Sequence, residues 1–279
     1  MTSTRFRFSP PRSCAVLAAV LLGISSLLGA TVETISVRSD AMKKEVPATV
    51  ILPDACGKEG KRFPVLYLLH GYGGDYRTWS KIARLDHLAD QYGVIVVCPD
   101  GGIGSWYLDS PEDPAWRYET FVAKELLSGI DGRFPTLPRR ESRAIAGFSM
   151  GGHGAFFLAF RHPEVYGTAV SFSGGVDLRP FPGNWEIAKR LGSLEDHPDR
   201  WKDYSVITLA ENVPPGQQAL AIDCGVDDFF ITVNRNLHAL LLARGVPHDY
   251  TERPGGHTAD YWEKAVRYQM PFISDHLAR

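Results

Sequence analysis

Arg143-Ala144-Ile145-Ala146-Gly147-Phe148-Ser149-Met150-Gly151-Gly152-His153-Gly154-Ala155 carries the strongest fold signal in the chain. A short apolar run, Arg143 to Ala146, ends in Gly147-Phe148-Ser149-Met150-Gly151 and continues into a Gly-rich helical segment. That is the strand–turn–helix context of a nucleophile elbow, in which a serine occupies a sharp, strained turn and its hydroxyl stands above the sheet. Flanking glycines keep side chains away from backbone that must bend and pack closely. The N–H of Met150, next after the serine at the helix start, points toward developing negative charge. A G-x-S-x-G also arises by chance as a merely tight turn, but the flanking strand and helix favour the elbow.

A nucleophile needs a base, an orienting acid and an oxyanion hole. Upstream, Val65-Leu66-Tyr67-Leu68-Leu69 reads as a buried strand running into His70-Gly71-Tyr72-Gly73-Gly74, the kind of turn that donates a second oxyanion N–H, assigned to Tyr72. A dinucleotide or phosphate loop is the competing reading, yet position 76 is Tyr where Gly is needed and no Gly-Lys-Ser/Thr follows. Downstream, the apolar strand Ala219-Leu220-Ala221-Ile222 ends in Asp223-Cys224-Gly225-Val226-Asp227-Asp228. Asp223, Asp227 and Asp228 all lie where the sites of open α/β sheets form, and spacing alone does not choose among them. The last strand, His248 to Arg253, leads into Pro254-Gly255-Gly256-His257, which brings His257 to the same sheet edge. Of nine histidines only His257 has this loop context; His70 reads as a brace for the oxyanion loop and His153 as a packing residue of the elbow helix. The order Ser, Asp, His is that of α/β-hydrolases and differs from the chymotrypsin and subtilisin orders.

On these residues the chain resembles the esterase D group of α/β-hydrolases, which includes S-formylglutathione hydrolases, feruloyl esterases, siderophore esterases and the mycolyltransferase antigens. The resemblance runs from about Val32 to the C-terminus and is carried by Leu68 to Gly74, Tyr118-Glu119-Thr120, Gly147 to Ala155 and Gly255-Gly256-His257. It implies an α/β-hydrolase fold, with a mostly parallel central sheet covered by helices on both faces. It also implies a triad aspartate three residues after a glycine, which maps onto Gly225 and Asp228, with Asp227 the second choice. His-Gly-Tyr-Gly-Gly looks more like feruloyl and short-chain acyl esterases than like the Cys-containing segment of formylglutathione hydrolases.

Arg5, Arg7 and Arg12 precede an apolar run from Ala15 to Ala30, which reads as a secretory signal peptide over residues 1–30 cleaved near Ala30; a retained anchor is the rival. Residues 31–279 then form a single catalytic domain, secreted or periplasmic. Its strands are expected near Val32 to Val37, Val46 to Leu52, Val65, Val94, Arg143, Gly167, Ala219 and His248. Helices are expected over Thr78 to Gln91, with Trp79, Ile82, Leu85 and Leu88 on one stripe, and over Tyr118 to Ile130. Alternation of strand and helix itself argues for a mostly parallel sheet. The segment 174–218 is longer than an ordinary connection and reads as a lid-like insertion carrying Phe181, Trp185 and Trp201. Trp106, Tyr107 and Trp185 are candidate pocket residues; a satellite core is the alternative.

A formal charge of −2 without charge blocks leaves no footprint for nucleic acid or an anionic membrane, and neither is expected as a partner. Cys56, Cys98 and Cys224 lack metal-type spacing; no disulfide framework is expected, and the odd count leaves at least one free thiol, expected to be buried. Asp109, Glu112 and Asp113 lack histidine partners and read as loop carboxylates, so no metal and no cofactor is expected. The expectation is a serine esterase acting on a small-molecule or carbohydrate-linked carboxylic ester through an acyl-enzyme, with Ser149 as nucleophile, His257 as base, Asp228 as acid, and Tyr72 and Met150 N–H groups as oxyanion hole. An acyltransferase of the mycolyltransferase type and a non-catalytic binding module on a hydrolase scaffold are the alternatives.

Overall fold

The computed structural model describes Met1, residues 29–57 and residues 60–279, so the expected signal segment falls almost entirely outside the described residues. Its centre is one eight-stranded sheet in the order β1-β2-β4-β3-β5-β6-β7-β8. The strands are β1 (Thr31–Ser39), β2 (Lys44–Leu52), β3 (Val65–Leu69), β4 (Ile95–Pro99), β5 (Arg143–Phe148), β6 (Thr168–Phe172), β7 (Ala219–Gly225) and β8 (Asp249–Arg253). β1 pairs with β2, and β2 with β4, antiparallel. Every pairing from β4 through β8 is parallel. All eight expected strands are present, each within a residue or two of its expected start.

Side chains alternate across the pleat, and both faces of the central strands β3 to β7 are buried. Val65, Tyr67 and Leu69 point into one core with Ile145, Phe156, Phe157 and Leu158, beneath the helices Met150–Arg161 and Ile231–Ala243. Leu66 and Leu68 point into the other with Ala144, Ala146, Trp79 and Val266, beneath Leu85–Tyr92 and Ala259–Asp275.

Two expected helices differ in detail. Thr78 to Gln91 is broken into Thr78–Ile82 and Leu85–Tyr92, because Ala83 is extended (φ −134°, ψ 154°). Trp79 is held by its indole N–H on the carbonyl of Leu69 at 2.8 Å, while the second segment turns to bury Leu85 and Leu88. Gly93 ends that segment in a left-handed conformation (φ 53°), as its position just past the apolar stripe implies. The second helix runs from Tyr118 to Arg133 and contains a π turn at Phe121–Glu125 that keeps both Phe121 and Val122 buried. Among the described residues no helix is long and apolar enough to cross a membrane.

Candidate active site

At the carboxyl end of β5 the chain turns through Ser149, which sits at φ 59°, ψ −119° immediately before the helix Met150–Arg161. A non-glycine residue at positive φ is strained and persists only where its surroundings impose it. The turn is this tight because β5 and the helix almost touch: a Cβ on Gly147 would lie 2.4 Å from the carbonyl oxygen of Gly151. The same Gly151 packs on β3, where a Cβ would come within 2.4 Å of the Leu69 carbonyl oxygen. Glycine at these positions is therefore a condition of the turn.

Three loops from separate strands converge on the serine. His257 accepts the Ser149 hydroxyl at Nε2 (2.8 Å), and its Nδ1–H is shared between the Asp228 carboxylate oxygens at 2.9 and 3.1 Å. This arrangement requires the Nδ1–H tautomer and leaves a lone pair on Nε2 facing the hydroxyl. The loops after β7 and β8 are zipped together by Val226 N–H to Arg253 O and Asp227 N–H to Gly255 O, both at 2.9 Å. Gly225 makes that approach possible, since a Cβ there would stand 2.2 Å from the Gly255 carbonyl oxygen. Asp228 is 2% exposed and also accepts the N–H of Phe230 at 2.8 Å, which pins its carboxylate.

The carboxylates that the sequence left competing have separate places. Asp227 is exposed. Asp223 is fully buried and takes Tyr261 Oη (2.7 Å), Gln269 Nε2 (2.9 Å) and Arg253 Nη1 (2.5 Å). Only Asp228 meets His257.

The loop after β3 lies directly against the serine: a Cβ on Gly71 would be 3.1 Å from Ser149 Cβ. His70, fully buried, holds the loop by donating Nδ1–H to Gly71 O (2.8 Å) and accepting the Gly101 N–H at Nε2 (2.7 Å). Burial pushes its pKa down, and the neutral ring is the form that can both donate and accept. Gly73 and Gly74 spend their N–H groups on Ile103 O and Gly71 O, whereas the N–H groups of Tyr72 and Met150 meet no acceptor among the described residues.

A cleft of about 660 Å³ opens over Ser149 and His257, walled by Tyr72, Thr78, Lys81, Ile82, Trp185, Phe229 and Trp262. Of the three candidate pocket residues, Trp185 is among the residues that line it and Trp106 and Tyr107 are not. Trp106 is 1% exposed, packed edge-on against His153, and donates its indole N–H to Trp185 O at 3.1 Å. Tyr107 is fully buried against Gly101 and Gly154 and donates its hydroxyl to His70 O at 3.1 Å. Both are structural supports one layer behind the cleft. The insertion 174–218 divides similarly, with Trp201 buried in the core and Trp185 at the cleft.

Sequence reasoning missed the rings that surround His257. Phe229 lies 4.2 Å from it, Phe230 5.4 Å and Trp262 4.9 Å between centroids, and Trp262 stacks on Phe148 at 4.1 Å. A usable signal existed for the first two, since they follow Asp228 directly in the chain. Asp109, Glu112 and Asp113 are drawn toward Arg117, Arg200 and Arg190 respectively. Among the described residues no group of three or more His, Cys, Asp or Glu is placed to hold a metal ion.

Residues 39–273 match the Esterase family model. The chain is 29% identical over 257 residues to an acetyl esterase of Caldicellulosiruptor saccharolyticus, covering 85% of this chain and 95% of that protein. It is 26% identical to the S-formylglutathione hydrolase of Bos taurus, covering 85% and 88%. Among solved structures it resembles a ferulic acid esterase with a TM-score of 0.77 at 27% identity, over 90% of this chain and 99% of that one. The chain belongs to the Esterase family, has the α/β-hydrolase fold and is a carboxylic ester hydrolase.

Proposed function

We propose that this member of the Esterase family is an exported serine esterase that cleaves carboxylic esters of small acyl groups through an acyl-enzyme. The observation that carries the reading is the continuous relay from Ser149 Oγ to His257 Nε2 (2.8 Å) and from His257 Nδ1 to the buried Asp228 (2.9 Å). His257 takes the Ser149 proton as Oγ attacks the ester carbonyl carbon. Asp228 keeps the imidazole in the productive tautomer and stabilises the imidazolium. The free N–H groups of Tyr72 and Met150 receive the oxyanion, in a site where preorganised donors outperform water. Collapse of the tetrahedral intermediate expels the alcohol, which takes the proton from His257 Nε2, and water then enters by the same base to release the acid. The likeness to an acetyl esterase over nearly its whole length supports the small acyl group. Export rests on the basic and apolar N-terminal segment, and the start of β1 at Thr31 is compatible with cleavage near Ala30.

The test is Ser149→Ala, expected to leave a folded protein with turnover of 4-nitrophenyl acetate reduced by about four to six orders of magnitude and with no labelling by a fluorophosphonate. Retention of a tenth of wild-type turnover would remove Ser149 from the mechanism. Product analysis with added alcohols separates hydrolysis from acyl transfer.

A further inference from the structure

The aromatic surface beside His257 has more exposure than packing explains. Phe229 is 51% exposed although it lies 4.2 Å from the His257 ring, and it stacks in parallel on Trp185 at 5.5 Å with 18° between planes. Phe230 and Trp262 also touch His257 but are buried at 1% and 9%; Trp262 reaches the cleft with little exposed surface, so the exposed ring face on this side is that of Phe229, with Trp185 stacked on it.

Both rings are held from behind. Phe229 stands between Asp228 and Phe230, whose N–H is bound to the Asp228 carboxylate at 2.8 Å. The carbonyl of Trp185 accepts the Trp106 indole N–H at 3.1 Å. Trp185 and Glu186 are consecutive non-glycine residues at φ 46° and 57°, and so are Trp106 and Tyr107 at 55° and 57°. Such paired strain survives only where the surroundings impose it and gathers at sites of function. Here it fixes a flat, half-exposed platform at the mouth of the cleft.

We propose that the Trp185–Phe229 platform is the leaving-alcohol subsite and selects esters whose alcohol has a flat apolar face, an aryl group or a pyranose ring, over short aliphatic alcohols. This rests on the serine-esterase reading above. His257 Nε2 hands its proton to the leaving oxygen, so that oxygen comes within hydrogen-bond reach of Nε2. The oxyanion occupies the space between the Tyr72 and Met150 N–H groups. The atoms beyond the leaving oxygen therefore meet the ring packed on the exposed side of His257, which is Phe229, and then its stacked partner Trp185. The acyl chain takes the remaining direction, along the part of the cleft lined by Thr78 and Ile82.

The experiment holds one half of the ester constant at a time. With acetyl fixed, kcat/KM is measured for 2-naphthyl acetate, methyl 6-O-acetylglucopyranoside and ethyl acetate; with 4-nitrophenol fixed, for the acetyl and butyryl esters. In Trp185→Ala the naphthyl or glucoside rate, taken relative to ethyl acetate, is expected to fall about tenfold, the scale of one lost aromatic contact. The acetyl-to-butyryl ratio is expected to stay within about twofold, and Trp185→Phe to recover most of the loss. Whichever of the two flat alcohols loses rate identifies the source. Should Trp185→Ala fail to fold, Phe229→Leu shortens the same platform from an exposed position and carries the same expectation. A changed acetyl-to-butyryl ratio with unchanged alcohol ratios would assign the platform to the acyl side and overturn the proposal, as would no change in any ratio. Wild-type protein that fluorophosphonate leaves unlabelled and that cleaves none of these esters would instead overturn the serine-esterase reading, and the platform with it.

Discussion

Asp223 and Asp228 lie five residues apart at the end of one strand, are both buried, and serve opposite ends. Asp223 is the one carboxylate of β7 and is consumed by the fold, with Arg253, Tyr261 and Gln269 as partners. Through Tyr261, whose ring lies under Gly255, it supports the loop that carries His257 from below. Asp228 lies past the strand, where the chain has turned through Gly225; the Phe230 N–H holds its Oδ1, and both carboxylate oxygens face the imidazole. Burial of a carboxylate therefore does not by itself single out the acid proposed here; its partners do, since those of Asp223 are all scaffold groups whereas Asp228 faces the proposed base His257.

The largest effect is expected at Asp228. Asp228→Asn is expected to lower turnover by about 10³ to 10⁴, by analogy with the serine-protease aspartate, while the melting temperature moves little. A fall of less than tenfold would return Asp228 to the scaffold. Asp223→Asn is expected to do the reverse. Removing the charge opposite Arg253 costs about 3 kcal/mol of stability, or a melting temperature lower by about 6 to 12 °C, with turnover per folded molecule within about tenfold of wild type. If Asp223→Asn lost activity as Asp228→Asn does, without unfolding, the division between the two would be wrong.

Glu119 sharpens the same distinction through pH. Its buried carboxylate accepts Arg161 Nε at 2.7 Å and His162 Nε2 at 2.9 Å at the far end of the elbow helix. Burial alone would raise its pKa, but the bonds from His162 and Arg161 outweigh it and the net direction is down. A folded pKa below the unfolded one contributes stability that is complete above the ordinary glutamate range and is lost as pH falls through the folded value. Glu119→Gln should therefore be less stable at neutral pH and show a shallower loss of melting temperature from about pH 6 to about pH 3, followed by calorimetry. An unchanged acid slope would show that Glu119 is not among the groups that set it. The smallest effect is expected at Asp227, whose exposed side chain contributes only screened electrostatics: Asp227→Asn should keep kcat within about tenfold and, in contrast to Asp228→Asn, leave its pH profile in place.

Local chemistry made much of this molecule legible. The five central strands β3 to β7 announce themselves as apolar runs bounded by turn residues, because a strand buried on both faces has no polar side to show, whereas the edge strands β1 and β8 are polar and partly open to solvent. Ser149 and His257 could be singled out because strand–turn–helix and glycine-loop contexts are written in consecutive residues. The break after Ile82 and the π turn at Phe121 were not visible, since helical periodicity carries no record of which neighbour a buried ring must meet.

Short segments and their order were thus enough to read the α/β architecture, the elbow turn and the loops that carry His257 and the competing aspartates. Only the tertiary structure decided that Asp228 rather than Asp227 or Asp223 meets His257, that Trp106 and Tyr107 stand behind the cleft while Trp185 faces it, and that Phe229 and Trp262 flank the imidazole. Those choices depend on contacts between residues such as Asp228 and His257, 29 positions apart, or Ser149 and His257, 108 apart. A stretch of chain dictates the conformations of its own residues through sterics and hydrogen bonding, but which side chains share a volume is settled only when distant strands pack edge to edge and exclude water between them.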